Sequence, residues 1–442
     1  MNVVLVSTYE LGRQPFGLAS PAAWLRDAGV EVRCADVSRE PLDDDVIAAA
    51  GAIGLYLPMH TATRLALPLL ERIRRVNRAG RVCAFGVYAP LNATALRERG
   101  VEAIFGGEFE EALTRWIVTG MEPSTAPPTR LRFRVPDRTG LPRLDRYAAL
   151  QLPDGSRRVA GYTEASRGCK HWCRHCPIVP VYGGRFRVVD VDVVMADIRA
   201  QVEAGAQHIT FGDPDFFNGI GHARKVIRTL SREYPGLTYD VTIKVEHLLQ
   251  HADALPVLAD TSCLFVTSAA EAVDDGILAR LDKGHTRADF ERAVEACRAA
   301  GVALAPTFVP FTPWTTLEGY RELLDAIHAL DLVANVAPIQ LAIRLLIPNG
   351  SRLLELDEVR RVVGPFDPQG LVYAWTHADP RVDKLQTSIE TLVRERTNAP
   401  RQTVFAEARR LAYEAAEIAP PPPQPPLLAR AAVPFLTEPW YC

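Results

Sequence analysis

Short β-branched segments alternate with amphipathic helical stretches along most of this 442-residue chain. Strands regularly separated by helices predict parallel sheets, because a return to the same sheet edge needs a crossover helix. Five such segments predict a doubly wound, Rossmann-like sheet over residues 1–120: 3–7, 30–37, 52–58, 81–86 and 103–107. No GxGxxG fingerprint follows the first segment, so a nicotinamide or flavin Rossmann domain is disfavoured.

A second series of strand and helix segments follows a polar, proline-containing linker at 121–157. It predicts a partial (βα)6 TIM-like barrel over 158–355, with its chemistry at the carboxyl ends of the strands. A helical region at 356–418 and a proline-rich tail at 419–442 complete the predicted organisation. The expected barrel strands are 159–166, 207–213, 238–244, 262–268, 302–308 and 338–346.

Charge and hydropathy exclude several classes of protein. Fifty basic residues against 53 acidic ones give a net charge of −3, without the basic excess that nucleic-acid binding needs. The first residues lack a basic segment ahead of an apolar run, and no apolar stretch is long enough to cross a bilayer. We therefore expect no nucleic-acid partner, no membrane association and a cytoplasmic location.

The eight cysteines fall into three groups. In a reducing compartment cysteines are more often metal ligands, catalytic thiols or core residues than disulfides. Four are scattered among apolar residues and are interpreted as core packing: Cys34, Cys83, Cys263 and Cys297. Cys442 is the last residue, and the remaining three crowd together: Cys169, Cys173 and Cys176.

These three thiols lie on a loop that directly follows the first predicted strand of the barrel. Three thiolates suit an iron-sulfur cluster in which one iron keeps an open position, whereas a structural zinc site uses four ligands. His171, His175 or a distant cysteine would complete a zinc site, although no second CxxC pair supports one. A metal centre is expected at this loop in either case.

The CxxxCxxC spacing at this position resembles the radical S-adenosylmethionine (radical SAM) superfamily. The resemblance implies a 4Fe-4S cluster held by Cys169, Cys173 and Cys176, with S-adenosylmethionine chelating the open iron. An electron from the cluster would break the sulfonium carbon-sulfur bond, and the resulting radical would do the chemistry. A small-molecule substrate and a flavodoxin- or ferredoxin-type electron donor are implied as well.

Further residues extend the resemblance to S-adenosylmethionine binding. His175 stands where the family has an aromatic residue that touches the adenine. Residues 212–215, Gly-Asp-Pro-Asp, stand where the family has a Gly-Gly-Glu that holds the methionine amino group, which makes Asp213 and Asp215 candidates. Lys244 and Glu246 are charged groups at a predicted strand end, where they would meet the ribose or the methionine carboxylate or form a solvated loop pair.

Two motifs on and after the fourth barrel strand also match. Residues 268–271, Ser-Ala-Ala-Glu, resemble the Glu-bearing strand of the family. Residues 281–286, Leu-Asp-Lys-Gly-His-Thr, resemble the Leu-x-Lys-Gly-x-Thr that follows it. The resemblance therefore implies that Glu271 and Lys283 bind the cofactor.

The first domain is similar to the cobalamin-binding domain of some members. Residues 183–187, Gly-Gly-Arg-Phe-Arg, resemble a Gly-Arg-x-x-Arg stretch common in those members, and 106–108, Gly-Gly-Glu, fit the usual course of that domain. The motif Asp-x-His-x-x-Gly is missing, and the sole histidine before residue 171 is His60, interpreted as a loop or pocket residue. Cobalamin binding and retention of the bare fold both stay open.

The tail carries the last candidate residue. Residues 437–442, Thr-Glu-Pro-Trp-Tyr-Cys, resemble the end of a radical SAM family named for its Cys-Sec-Ala-Glu-Pro or Cys-Cys-Ala-Glu-Pro tail. We expect Cys442 to act near the active site, brought there by the polyproline spacer 420–426, and a selenocysteine codon to follow it.

Three functions remain on sequence grounds, and a transferase is favoured. The first is cobalamin-dependent methyl transfer. The second is cobalamin-free transfer of a group from S-adenosylmethionine to arsenic or selenium, which the terminal thiol suggests. The third is a non-catalytic metal or redox scaffold.

Overall fold

The first sheet of the computed structural model, which describes residues 2–121, 131–419 and 434–437, has five parallel strands. Its order is β2-β1-β3-β4-β5, and this confirms the doubly wound arrangement expected from the sequence. The strands are β1 (Asn2–Ser7), β2 (Glu31–Asp36), β3 (Ala52–Tyr56), β4 (Arg81–Phe85) and β5 (Ala103–Phe105).

Helices cover both faces of this sheet. Alternate residues of one strand point to opposite faces, so Val4 packs in one apolar cluster and Leu5 in another. Both clusters are needed because a parallel sheet with crossover helices is buried on its two sides. The helices are α1 (Phe16–Asp27), α2 (Asp44–Ala49), α3 (His60–Val76), α4 (Tyr88–Leu91), α5 (Ala93–Glu98) and α6 (Glu110–Thr119).

The second large sheet curls into a partial barrel of seven strands, in the order β13-β12-β11-β10-β7-β6-β16. Five of them, from β7 to β13, are mutually parallel, and β6 and β16 are antiparallel strands at one edge. The remaining strands of the chain are β6 (Ala149–Gln151), β7 (Arg157–Thr163), β8 (Ser166–Gly168), β9 (Phe186–Val188), β10 (His208–Phe211), β11 (Thr238–Thr242), β12 (Cys263–Glu271), β13 (Ala303–Phe308), β14 (Val363–Asp367), β15 (Val372–Trp375) and β16 (Phe435–Leu436).

Helices pack outside the barrel and enclose the largest apolar cluster of the described residues, which includes Phe290, Phe308 and Tyr320. None of the helices in the described ranges is long and apolar enough to cross a membrane. The helices are α7 (Ile178–Tyr182), α8 (Val191–Glu203), α9 (Ile220–Glu233), α10 (Val245–Gln250), α11 (Leu255–Asp260), α12 (Asp275–Leu281), α13 (Arg287–Ala299), α14 (Leu317–Ala329), α15 (Asp357–Val362), α16 (Pro380–Glu395) and α17 (Arg401–Ala415).

The sixth barrel unit differs from the sequence expectation. Instead of a strand over 338–346, the chain forms a 3-10 turn at Pro338–Leu341 and then a single parallel bridge between Phe311 and Arg344. Pro338 has no N–H for a strand ladder and its fixed φ suits the first position of a helical turn. The barrel therefore closes with five parallel strands and one bridge.

Several other segments, among them the antiparallel pair of β8 and β9, carry strands that the sequence patterns do not indicate. β6 lies inside the expected linker, and the antiparallel hairpin of β14 and β15 lies inside the expected helical region. In the tail, Phe435 pairs with Gln151 and Leu436 with Leu150, so β16 extends the barrel sheet. The polyproline spacer 420–426 and Cys442 lie outside the described residues.

A buried ion-pair network joins the two sheets. Arg167 on β8 donates to Glu110 at the start of α6 at 2.5 Å and to Glu164 at 2.5 Å. Ser20 on α1 donates to the same Glu110 carboxylate at 2.6 Å. Because a buried charge is costly unless it is paired, this contact fixes the N-terminal domain against the strand that leads into the cysteine loop.

Candidate functional site

The loop that carries the three clustered cysteines runs from the end of β8 to the start of α7. Gly168, with a φ of 74°, precedes the first cysteine. A Cβ atom at this position would lie 2.4 Å from the carbonyl oxygen of Arg185 and 2.5 Å from the ring of Tyr182. Only glycine combines this backbone conformation with so close an approach, and it sets the direction in which the loop leaves the barrel.

The thiols of this loop are free and mostly enclosed. Cys173 is buried, while Cys169 and Cys176 are partly exposed. Burial raises the pKa of Cys169, and it raises the pKa of Cys176 to about 12, although the Lys283 ammonium acts on Cys176 in the opposite direction. Both thiols therefore keep their protons at neutral pH until a metal centre displaces them.

The separation of the thiols distinguishes between the two metal centres that the sequence allows. Within the described ranges, one set of three ligand atoms lies within 4.8 Å of one another, and it contains no cysteine. Sulfur ligands of a tetrahedral zinc ion lie about 3.8 Å apart, given Zn–S bonds of about 2.3 Å. No such set of three in the described ranges includes a thiol, and a cluster, which binds each cysteine through a different iron, suits this arrangement.

Three residues predicted from the sequence meet beside the loop. Nε2 of His175 lies 3.0 Å from Oε1 of Glu271, and Nζ of Lys283 lies 3.3 Å from the same oxygen. Burial favours the neutral form of Glu271, yet Lys283 and His175 outweigh it and lower the pKa of that carboxyl to about 2. Glu271 is therefore ionised at every physiological pH.

The strained backbone of Glu271 supports a functional role for the Glu271–Lys283 pair. Glu271 ends β12 with a φ of 65°, a conformation that costs a non-glycine residue of order 1 kcal/mol and clusters at functional sites. Lys283 follows α12 and is 3% exposed, so it is held in place by burial on all sides. The ion pair and the backbone turn together aim both charged groups at the cysteine loop.

A second polar group forms on the other side of the loop. His171 lies between Cys169 and Cys173, Asp215 follows β10, and Lys244 follows β11. Nζ of Lys244 lies 3.0 Å from Nδ1 of His171 and 3.1 Å from Oε2 of Glu246. The structure thus brings Asp215, Lys244 and Glu246 together, and their contact with a cofactor stays a prediction.

Asp213 occupies a different place. Its Oδ2 accepts from the backbone N–H of Ala165 at 2.9 Å, and its Oδ1 accepts from the Ser166 hydroxyl at 2.5 Å. Burial raises the pKa of Asp213 to about 7, although the Ser166 and Ala165 donors favour the ionised form. Its contacts support the root of the cysteine loop, and contact with a cofactor stays a prediction.

Residues 163–326 match the Radical SAM superfamily, and this range contains all three cysteines of the loop together with Glu271 and Lys283. The chain contains a radical SAM domain. Two curated proteins are similar to it. A tRNA-2-methylthio-N(6)-dimethylallyladenosine synthase of Magnetococcus marinus is 23% identical over 274 residues, which cover 53% of this chain and 59% of that protein. A hopanoid C-3 methylase of Methylococcus capsulatus is 24% identical over 151 residues, or 34% of this chain and 29% of that protein.

The chain thus spans less than two thirds of the length of these curated relatives. Two solved structures share its fold over a larger part. The radical SAM methyltransferase TsrM from Kitasatospora setae, solved with cobalamin and a [4Fe-4S] cluster, gives a TM-score of 0.57 at 20% identity, covering 75% of this chain and 70% of that chain. OxsB, a cobalamin-dependent S-adenosylmethionine radical enzyme, was solved with aqua-cobalamin and S-adenosylmethionine bound. Its structure gives a TM-score of 0.71 at 13% identity, covering 93% of this chain and 72% of that chain.

The N-terminal sheet meets the radical SAM domain along the carboxyl ends of its strands. Gly106 follows β5, and a Cβ atom there would lie 3.3 Å from Val181 on α7, the helix that follows the cysteine loop. Glu108 lies 3.4 Å from Nε of Arg187, so the two cobalamin-type motifs expected from the sequence contact one another. His60 is held elsewhere, because its Nε2 donates to the Gly370 carbonyl at 2.7 Å.

A cavity of about 420 Å³ lies inside the barrel of the radical SAM domain, between β11, β12, β13 and the tail strand β16. Asp240, Thr242 and Thr267 line its sheet side, and Phe435 lines its tail side. The Arg401 guanidinium lies 4.6 Å from the centroid of the Phe435 ring and has no acidic partner in the described part of the chain. Burial lowers the pKa of Arg401 to about 10.

Two residues of the radical SAM domain were missed as site residues by the sequence analysis. His247, on α10, contacts Asp215, and Arg167 joins the loop to the first domain. His247 lies in the first turn of α10, and no motif of the sequence marks it. Arg167 carries no local pattern either. Catalysis by Cys442 stays a prediction, since that residue lies outside the described ranges.

Proposed function

We propose that this protein binds a 4Fe-4S cluster through Cys169, Cys173 and Cys176 and reductively cleaves S-adenosylmethionine to begin a radical reaction. The observation that carries the proposal is the position of three thiols on one loop of a radical SAM domain, beside the buried Lys283–Glu271 pair. Three protein thiolates leave one iron free for a further ligand. When bound, the cluster supplies the electron that breaks the sulfonium bond of S-adenosylmethionine.

The chain's own residues fit this chemistry. Lys283 lies close enough to Cys173 and Cys176 for their charges to act on it, so its ammonium favours the thiolate forms that bind iron. We infer that Glu271 and Lys283 also bind the charged groups of S-adenosylmethionine, and that the flat ring of His175 stacks against the adenine. Lys244 and Glu246 stand at neighbouring strand ends and are proposed for the ribose or the methionine carboxylate.

Transfer of a methyl group through cobalamin is the finer candidate reaction. It is supported by the fold shared with TsrM and OxsB and by the contact between the carboxyl edge of the N-terminal sheet and α7. A ligand on that edge would face the cysteine loop, because α7 directly follows it. His60 is engaged with Gly370, so we propose that any corrinoid binds without a histidine from this domain.

The substrate and the electron donor are proposed from two further features. We infer that a small molecule enters the barrel cavity, where Arg401 would favour an anionic group. Trp172 on the cysteine loop is 51% exposed, and the Arg352 guanidinium, which also pairs with Glu355 at 3.0 Å, lies 5.6 Å from its ring. An exposed aromatic next to a basic group suits an acidic flavodoxin- or ferredoxin-type donor.

Anaerobic reconstitution with iron and sulfide, followed by dithionite and S-adenosylmethionine, tests this function. We expect 5'-deoxyadenosine or another cleavage product to accumulate. A reconstituted cluster without any cleavage product would instead favour a redox scaffold. Purification with a corrinoid spectrum would support the cobalamin-dependent reaction, and its absence under corrinoid supply would favour transfer without cobalamin.

A further inference from the structure

Three potential metal ligands converge from separate segments beside the cysteine loop. His171 belongs to that loop, Asp215 to the turn after β10, and His247 to α10. Oδ2 of Asp215 lies 3.3 Å from Nε2 of His171 and 2.6 Å from Nδ1 of His247. All three ligand atoms lie within 4.8 Å of one another.

These atoms are enclosed and contact one another without well-aligned hydrogen bonds. Nε2 of His171, Oδ2 of Asp215 and Nδ1 of His247 are buried, and none has a hydrogen-bond partner of acceptable geometry within the described part of the chain. The close contacts therefore lack the alignment of hydrogen bonds. The 2.6 Å contact between Asp215 and His247 offsets part of the cost of burying these atoms, and one cation between the three would satisfy them all.

Contacts with backbone N–H groups fix the orientation of the Asp215 carboxylate. Oδ1 of Asp215 accepts from the backbone N–H of Phe217 at 3.2 Å and lies 3.5 Å from that of Lys244. This leaves Oδ2 pointing at the two histidines. Asp215 is 1% exposed, so the carboxylate is held by the fold and not by solvent.

A carboxylate also lies behind one of the histidines. Oε2 of Glu246 is 3.6 Å from Nδ1 of His171, the ring nitrogen remote from Asp215. The nearer group at Nδ1 is the Lys244 ammonium at 3.0 Å, so a metal ion at Nε2 requires this contact to give way to the Glu246 carboxylate. Glu246 in turn binds Lys244 at 3.1 Å, so this supporting carboxylate is itself held.

We propose that His171, Asp215 and His247 bind a divalent transition-metal ion, in a site distinct from the three thiols of the loop. The donor set of two imidazoles and one carboxylate suits zinc or ferrous iron, and not the soft ions that thiolates select. Ligands at bond lengths of about 2.1 Å lie about 3.0–3.4 Å apart, so the 3.3 Å separation already fits and the 2.6 Å separation would widen on binding. Three protein ligands leave at least one position open for water or a substrate atom.

The site would tie the cysteine loop to the ends of β10 and β11. It also assigns Asp215 to the metal ion and not to the methionine amino group. The inference stands apart from the proposed radical chemistry, because it uses no cluster ligand.

Zinc serves as the probe. Cluster-reconstituted protein is equilibrated anaerobically with Zn²⁺ and desalted, and zinc, iron and sulfide per chain are measured together with the zinc X-ray absorption spectrum. We expect one zinc per chain with nitrogen and oxygen neighbours at about 2.0–2.1 Å and no sulfur neighbour near 2.3 Å. Asp215→Ala and His247→Ala should each lose the zinc and keep iron and sulfide at the wild-type ratio.

His251→Ala is the matched control, since its ring lies 5.7 Å from that of His247 but is not one of the converging ligands. This variant should retain its zinc. Wild-type protein that holds a full cluster but no zinc, or zinc bound by sulfur, would overturn the proposal. Zinc bound through nitrogen and oxygen in a chain that takes up no iron would still support it, and would count against the proposed radical function alone.

Discussion

Nζ of Lys283 lies 3.3 Å from Oε1 of Glu271, and both side chains are buried at the end of one barrel strand beside the cysteine loop. The pair links two motifs that are separated along the chain by α12. Its lysine faces the thiols and its carboxylate is kept ionised, so the pair presents two opposite charges to whatever occupies the loop.

Replacing Lys283 alone should lower the free energy of unfolding more than replacing Lys283 and Glu271 together. Lys283→Met leaves the Glu271 carboxylate buried with a single weaker partner, and we expect a loss of about 3–5 kcal/mol in the free energy of unfolding. Combining it with Glu271→Gln should recover a substantial part of that loss. Denaturant unfolding of the apo-protein measures both, with Lys225→Met, on the exposed side of α9, as the control. Equal stabilities of Lys283→Met and Lys225→Met would contradict the prediction.

Cys173 and Cys263 are both buried cysteines, but only Cys173 belongs to the loop. Cys173→Ala should abolish cluster binding and with it any cleavage of S-adenosylmethionine. Cys263→Ala should retain the iron and sulfide content of the wild type, since that thiol lies in the apolar core and donates to the Phe265 carbonyl at 3.4 Å. Iron and sulfide analysis after reconstitution distinguishes them. A cluster retained by Cys173→Ala would remove this residue from the ligand set.

Arg167 should be needed for the alignment of the two sheets. Its side chain is 7% exposed, and Arg167→Met leaves Glu110 and Glu164 buried without their cation, at a cost of about 3–5 kcal/mol. Arg115→Met is the matched control, because Arg115 pairs with Glu111 on the exposed face of α6. That pair should be worth no more than about 1 kcal/mol. Thermal unfolding curves that shift equally for the two variants would contradict the buried network.

The stability of the apo-protein should show the titration of Asp213. Its folded pKa of about 7 lies above the unfolded value of 3.8, so between these values the folded state binds more protons than the unfolded state. Stability associated with this group is therefore full at low pH and falls as the pH rises toward about 7. Asp213→Asn can still accept from Ala165 and can donate to Ser166.

We expect the melting temperature of wild-type protein, relative to Asp213→Asn, to fall between pH 5 and 7 and to level off above that range. A pH series of thermal unfolding experiments on the two apo-proteins measures the difference. A constant difference across the range would show that Asp213 is ionised throughout.

The sequence predicted the elements that depend on local patterns. The ten parallel strands alternate with helices whose apolar periodicity is visible in short windows, and both sheets were expected. β6 and β16 were not, because they have three and two residues and exist only through pairing with distant segments. The missing sixth strand follows from the local chemistry of Pro338, which a strand pattern overlooks.

The same distinction applies to the site. The cysteines, Glu271 and Lys283 stand in motifs of fixed spacing, and the structure brings the last two together with His175. The convergence of His171, Asp215 and His247 depends on the relative positions of the cysteine loop and two strand ends. Histidine and aspartate are common residues, so no short pattern marks their meeting. Such a site emerges only from the tertiary structure.

The most direct test of the radical SAM function is the electron paramagnetic resonance spectrum of the reduced, reconstituted protein with and without S-adenosylmethionine. Three thiolates leave one iron accessible, so we expect a cluster with four irons whose spectrum changes when S-adenosylmethionine is added. The Lys283→Met variant, if it retains the cluster, should show a smaller change. A spectrum that is identical with and without S-adenosylmethionine, at full cluster content, would contradict the account.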